Sequence, residues 1–205
     1  MLKFNIFGIP VTVHPMFWVF MFIFVALFAG ANATAPIIIL KVLAFFLSIL
    51  IHELGHALMA RRYGAPVRID LHGIGGQASY LLPNSTKKKT IIITAAGPIL
   101  QLGVGLIALY LLAPLAQGTL AAAFVSPFVW ISLLLAVFNL LPVYPMDGGQ
   151  ILHEALPYNK KNIAFIVGII VAALGVLIGL AIGQFFLAIF AGLGAWGNYQ
   201  RLNNK

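Results

Sequence analysis

Acidic side chains are nearly missing from this chain: Glu53, Asp70, Asp147 and Glu154 are the whole supply. Cysteine is absent altogether. That excludes disulfides and thiolate metal ligands, so any metal here must be held by His, Asp or Glu. Charged residues are 8% of the 205, and hydrophobic ones are 62%. A soluble domain carries roughly 25% charged residues. A chain this poor in charge could not cover itself in water. No internal repeat and no low-complexity linker divides it. A single integral-membrane domain, residues 1–205, is therefore expected.

The net charge of +8 raises the question of nucleic acid. The placement of the charges answers it. Apolar stretches run over about 16–30, 35–60, 90–113, 119–141, 163–180 and 184–199. Lys3, Arg61, Arg62, Arg68, Lys87, Lys88, Lys89, Lys160, Lys161, Arg201 and Lys205 fall at alternate ends of them. The loops at 31–34, 114–118 and 181–183 carry no basic residue, and Lys41 alone breaks the pattern. This asymmetry is the positive-inside pattern and places both termini in the cytoplasm of a multi-pass cell-membrane protein. The expected partner is a lipid bilayer and not nucleic acid. Lys41 can snorkel to the outer interface. Lys3 and Ala29-Gly30-Ala31 loosely fit a signal peptide, but Pro10 and Pro15 precede the apolar run, so an uncleaved first span is expected. The last two stretches are joined tightly and read as a helical hairpin, with a re-entrant pair as the alternative.

Two segments alternate with the period of a strand. Phe4, Ile6, Val11 and Val13 flank a turn at Gly8-Ile9-Pro10. Val67, Ile69 and Leu71 alternate with Arg68, Asp70 and His72, and Ala78, Tyr80 and Leu82 follow Gly73, Gly75 and Gly76. The second reads as a β-hairpin at the cytoplasmic interface. It is either structural or an edge, near Gly75 and Gly76, that pairs with an extended peptide. The fold class is thus an all-α membrane protein with about six transmembrane helices and a small interfacial β-hairpin or sheet.

Ile51-His52-Glu53-Leu54-Gly55-His56 lies inside the second apolar stretch. Ionisable groups at membrane depth are costly and functional by default. On a helix, His52 and His56 project from one face and can share one ion. Glu53 stands beside them, placed to take a proton from an attacking water. A catalytic zinc usually has three protein ligands and a water. Asp70, Asp147, Glu154, His14, His72 and His153 are the candidates for the third. Asp147 is the best of them, because Pro142 and Pro145 end the fourth helix and Gly148-Gly149 permits tight backbone turns. Asp70 is expected beside Arg68, and Glu154 on a water-facing segment at 150–156. Asn139 either donates to a substrate or satisfies its own helix end. Trp18, Trp130 and Trp196 read as lipid-facing or interfacial anchors. A membrane metal transporter, or a metal-binding scaffold without protease activity, is the alternative. A transporter would need ionisable residues spaced across the bilayer, and stretches one, five and six show none.

These residues together resemble the site-2 protease family of intramembrane zinc metalloproteases. The specific parts are His52-Glu53-Leu54-Gly55-His56, and Asn139-x-x-Pro142 with Asp147-Gly148-Gly149. Ala96-Gly97-Pro98, Gly8-Ile9-Pro10 and His14-Pro15 add weaker support. The resemblance implies one zinc ion held by His52, His56 and Asp147, with Glu53 as the base. It implies cleavage of a transmembrane substrate near the cytosolic side, a catalytic core at about 35–156, and outer spans that gate entry. Two positions depart from the family's pattern: Gln101 stands where members often carry Asn, so a polar contact there is expected to be altered, and Met146, a mild change, stands where a leucine is common. The sequence is expected to be a minimal form without a PDZ or nucleotide-binding domain.

Overall fold

The computed structural model describes residues 1–28, 34–73 and 75–203. The loop at 31–33, the end of the first apolar stretch at 29–30 and Lys205 lie outside the described residues. Four strands are β1 (Leu2–Ile6), β2 (Ile9–Val13), β3 (Val67–His72) and β4 (Gly75–Tyr80). The helices are α1 (Pro15–Phe28), α2 (Ala35–Arg62), α3 (Lys87–Ile107), α4 (Ala113–Ala116), α5 (Ala122–Asn139), α6 (Asp147–Ala155), α7 (Asn162–Ala181) and α8 (Phe185–Asn203). A π-helical turn, Ala108–Leu112, joins α3 to α4. Among the described residues, four helical segments are long and apolar enough to cross a membrane: Ala35–Arg62, Lys87–Ala116, Ala122–Asn139 and Tyr158–Ala181. The α1 helix is apolar but shorter. The protein is a mainly helical, multi-pass membrane protein with one small sheet.

The described chain divides into two compact units. One is Met1–Asn84 with Ala96–Ala136, and the other is Ser85–Ala95 with Val137–Lys205.

In the first unit both strand pairs form as the alternation predicts, but they are one sheet. Its order is β1-β2-β3-β4. The unexpected element is the parallel pairing of β2 with β3, which sets Val11 opposite Ile69 and Val13 opposite Leu71. The α1–α2 pair is the crossover between them, as parallel strands require. Ile9, Val11, Val13, Ile69 and Leu71 face one way and are buried with Phe17, Met21, Leu50, Leu54 and Ala57 of α1 and α2. The β1–β2 turn has left-handed backbone at Phe7 and Gly8, and the Arg61 guanidinium donates to the Phe7 carbonyl. Arg61 and Arg62 also sit in the last turn of α2, where cations favour the helix dipole. Trp18 differs from expectation: it is half-buried against Phe17 and Phe46, ring centroids 5.5 and 5.0 Å away. Trp130 and Trp196 are exposed.

In the second unit α7 and α8 form the expected helical hairpin. Gly168, Gly175 and Gly179 of α7 lie against Asn198, Ala191 and Ala188 of α8, in reverse chain order. Small residues on both sides let the two backbones approach. The Lys87 ammonium donates to the Leu156 carbonyl at 2.8 Å, fixing the start of α3 to the end of α6.

Candidate metal centre

His52 and His56 are buried in the middle of α2, one turn apart. Their Nε2 atoms face each other at 3.1 Å, with the rings nearly perpendicular. Two ring nitrogens aimed at one point in this way suit a shared cation. A tetrahedral zinc with Zn–N bonds of about 2.0–2.1 Å would separate them by about 3.3 Å.

The orientation of His52 is set from behind. Gln101 of α3, itself buried, gives its Nε2 to Ser48, 3.3 Å to the carbonyl and 2.9 Å to Oγ. A carbonyl only accepts, so the amide nitrogen faces Ser48 and Oε1 faces His52. Oε1 then accepts from His52 Nδ1–H at 3.1 Å. With the proton on Nδ1, the nitrogen left for a metal is Nε2. The Ser132 hydroxyl of α5 donates to Ser48 Oγ at 2.9 Å and completes a buried chain across three helices. Gln101 thus links His52 of α2 to Ser48 through its two amide ends. Replacing Gln101 with Leu removes the acceptor and frees the His52 ring to rotate. Zinc affinity should fall by about 10–100-fold, read by competition with a chelator. An unchanged affinity would show that His52 needs no such partner.

His56 is set by close packing. A Cβ built on Gly97 of α3 would lie 2.2 Å from His56 Nε2, and one on Gly55 would lie 2.4 Å from the Ala96 carbonyl. Glycine on both helices is what lets α2 and α3 cross here. Glu53 is buried at the same level of α2. Gly76 of β4 lies against it, a Cβ there falling 2.6 Å from Glu53 Cγ and 2.9 Å from Oε1. Gly75, by contrast, has open space around it.

In the second unit Asp147 opens α6 and is buried. An anion there is favoured by the helix N-terminus. The turn before it is tight. Met146 N donates to the Val143 carbonyl at 2.9 Å, and a Cβ on Gly148 would lie 2.1 Å from the Leu140 carbonyl oxygen. Both glycines after Asp147 are thus required by backbone approach. Asn139 is the last residue of α5 and half-buried. Among the described residues, His52, His56 and Asp147 are the one group of three His, Asp or Glu side chains able to hold a metal ion together. Two imidazoles and a carboxylate fit catalytic zinc, because three protein ligands leave a position open for water.

The other candidates stand elsewhere. Asp70 pairs with Arg68 at 3.1 Å, as expected. Glu154 is half-buried between His153 at 3.3 Å and Lys161 at 3.2 Å rather than turned to water. Partial burial pushes its carboxyl upward, but the hydrogen bond and charge of Lys161, with His153 beside it, outweigh this and hold it below the ordinary value. His14 and His72 stack edge to face at 6.4 Å.

The comparison with known families agrees with this centre. The family model described as peptidase family M50 matches residues 40–124 and 113–182. The chain belongs to peptidase family M50. This M50 chain is 31% identical, over 86% of its length and 53% of the relative's, to zinc metalloprotease MJ0392 of Methanocaldococcus jannaschii. It is 30% identical to putative zinc metalloprotease sll0528 of Synechocystis, over 89% of this chain and 54% of that protein. The putative zinc metalloprotease Rip3 of Mycobacterium tuberculosis is also 30% identical, over 92% and 52%. The M50 chain thus spans about half the length of these curated relatives. Among solved structures it resembles the site-2 protease from Methanocaldococcus jannaschii, with TM-score 0.67 and 27% identity, covering 100% of this chain and 96% of that one.

Proposed function

We propose that this protein is an intramembrane zinc metalloprotease that hydrolyses a peptide bond in or near a transmembrane segment of a membrane protein, close to the cytoplasmic side. The observation that carries this is the buried group His52, His56 and Asp147, with Glu53 in the same turn of α2. His52, through Nε2, His56 and Asp147 hold the metal, one ion per chain. Bound there, zinc supplies a Lewis acid that polarises the scissile carbonyl and lowers the pKa of water. A Glu53 carboxylate oxygen accepts the proton of the attacking water and returns it to the leaving amine nitrogen. Burial of Glu53 excludes bulk water and keeps that proton in place.

The substrate helix must first unwind, because its amides are otherwise engaged within the helix. The edge strand β4, with Gly75 and Gly76, offers backbone groups for a substrate strand to pair with. Gly76 against Glu53 sets that strand beside the base. Asn139 is assigned to the substrate backbone. The basic residues around α2, β3 and α3 support a cytoplasmic face there and cytoplasmic termini.

The test is metal analysis of wild type beside His56→Ala and Asp147→Ala, scored with cleavage of a transmembrane peptide. Wild type should hold one zinc and cleave, and a chelator should stop cleavage. Each variant should lose zinc and activity together. Zinc retained by both variants would refute the ligand assignment.

A further inference from the structure

Asn198 is the first polar residue of α8, after a run of small and apolar residues and before Gln200, Arg201 and Asn203 at its polar end. It is fully buried. A buried amide must be satisfied or it destabilises the fold. Two of its three hydrogen bonds go to a single residue of the loop ahead of Asp147. Its Oδ1 accepts from Tyr144 N–H at 3.2 Å, and its Nδ2 donates to the Tyr144 carbonyl at 2.7 Å. The second Nδ2 hydrogen reaches the Gly194 carbonyl of its own helix at 2.8 Å. Both backbone groups of Tyr144 are thereby occupied by one side chain, as a neighbouring β-strand would occupy them.

Space for this clamp is provided from the other side. A Cβ on Gly168 of α7 would lie 2.3 Å from Asn198 Oδ1. The clamped residue in turn supports α6. A Cβ on Gly149 would lie 2.4 Å from Tyr144 N and 2.5 Å from the Val143 carbonyl carbon. Tyr144 is also held over its ring, where the Arg201 guanidinium of α8 stands 4.1 Å from the centroid. The first turn of α6, which begins at Asp147, therefore rests on a backbone that α8 fixes.

We propose that Asn198 is a positioning residue for Asp147: through Tyr144 it sets where the carboxylate stands, so that α8 and the metal ligand move together. This rests on the reading of Asp147 as a zinc ligand. It gives the last helix a part in the chemistry although that helix supplies no ligand.

The test compares Asn198→Ala, Asn198→Asp and Gly168→Ala with wild type and with Asp147→Ala, all as purified full chains in detergent. Zinc affinity is measured by chelator competition, the cobalt(II) absorption spectrum reports the ligand field, and thermal unfolding of the metal-free protein reports the fold. Asn198→Ala should weaken zinc binding by about 10–100-fold and alter the cobalt spectrum. Asn198→Asp keeps the acceptor for Tyr144 N–H but loses both donated bonds, and should fall between. Gly168→Ala should weaken zinc binding by displacing the amide. Should Asn198→Ala fail to fold, the other two variants carry the same readout. Wild-type zinc affinity and cobalt spectrum in the folded variants, with only a lowered melting temperature, would overturn the positioning role. If Asp147→Ala itself binds zinc as wild type does, the ligand reading fails and takes this role with it. If Asp147→Ala loses zinc while the Asn198 variants do not, only the positioning role fails.

Discussion

Glu53→Gln should lower cleavage of a transmembrane peptide by about 10²–10⁴-fold or more, with zinc content unchanged. The substitution keeps the size and the hydrogen-bonding reach of the side chain but removes the group that takes a proton. It leaves the His52–Gln101–Ser48–Ser132 chain intact, so the metal should stay. Glu53→Ala is the weaker experiment, because it opens space beside Gly76, whose backbone packs on the glutamate's Cγ. The decisive readout pairs metal content with rate on the same preparation. Cleavage by Glu53→Gln at the wild-type rate would remove Glu53 from the mechanism. Loss of zinc along with cleavage would instead make Glu53 part of the metal's support.

Gly97→Ala should be nearly as damaging, although one methyl group is all that it adds. The new Cβ would stand 2.2 Å from His56 Nε2 and 2.4 Å from Cε1. Real carbon atoms do not approach so closely, so the ring or α3 must move. The ring atom displaced is the one that faces His52. Misplacement by about 1 Å at such a centre costs on the order of 10²-fold in rate, and zinc affinity should fall with it. The helix itself tolerates alanine better than glycine. A folded Gly97→Ala protein with wild-type zinc affinity would therefore show that α3 yields at this crossing. Gly103, which has open space about it, is the control: Gly103→Ala should leave both zinc and activity as they were.

The helix that carries the candidate metal centre was legible in the sequence because its signal is local. His52, Glu53 and His56 lie within five positions of an apolar run, and helical periodicity alone places them together. Asp147 was legible for a different reason: two prolines and two glycines frame it, and each has a backbone consequence that can be read without neighbours. The supporting residues were not legible in the same way. Ser48, Ser132 and Asn198 are single polar residues in apolar stretches, and a single serine or asparagine has many bland explanations. Their partners are residues 53, 84 and 54 positions away, and only packing reveals such pairs. The signal that could have drawn attention to them was their cost: each needs a partner when buried. Gln101 was noticed through the family resemblance, but its bond to His52 came only with the structure. The sheet followed the same division. Each hairpin was written in its own alternation, whereas the parallel union of β2 with β3 joins strands separated by two helices and leaves no local trace. Trp18 misled for a related reason. Its type suggested an interfacial anchor, but Phe46 of α2 stands close enough to half-bury it.

That parallel union fixes how the amino-terminal segment belongs to the fold. β2 lies between β1 and β3, and His14 N–H donates to the Leu71 carbonyl at 2.9 Å just past the last paired residue. Trimming away the first fourteen residues would turn β3 from an interior strand into an open edge, strip the cover from Ile69 and Leu71, and leave its amides seeking another partner. The opposite margin, β4, is the one that lies on Glu53, so a sheet opened at the wrong border could recruit a stray strand far from the base. The amino-terminal hairpin thus keeps β3 an interior strand and carries that border of the sheet outward to β1, away from β4.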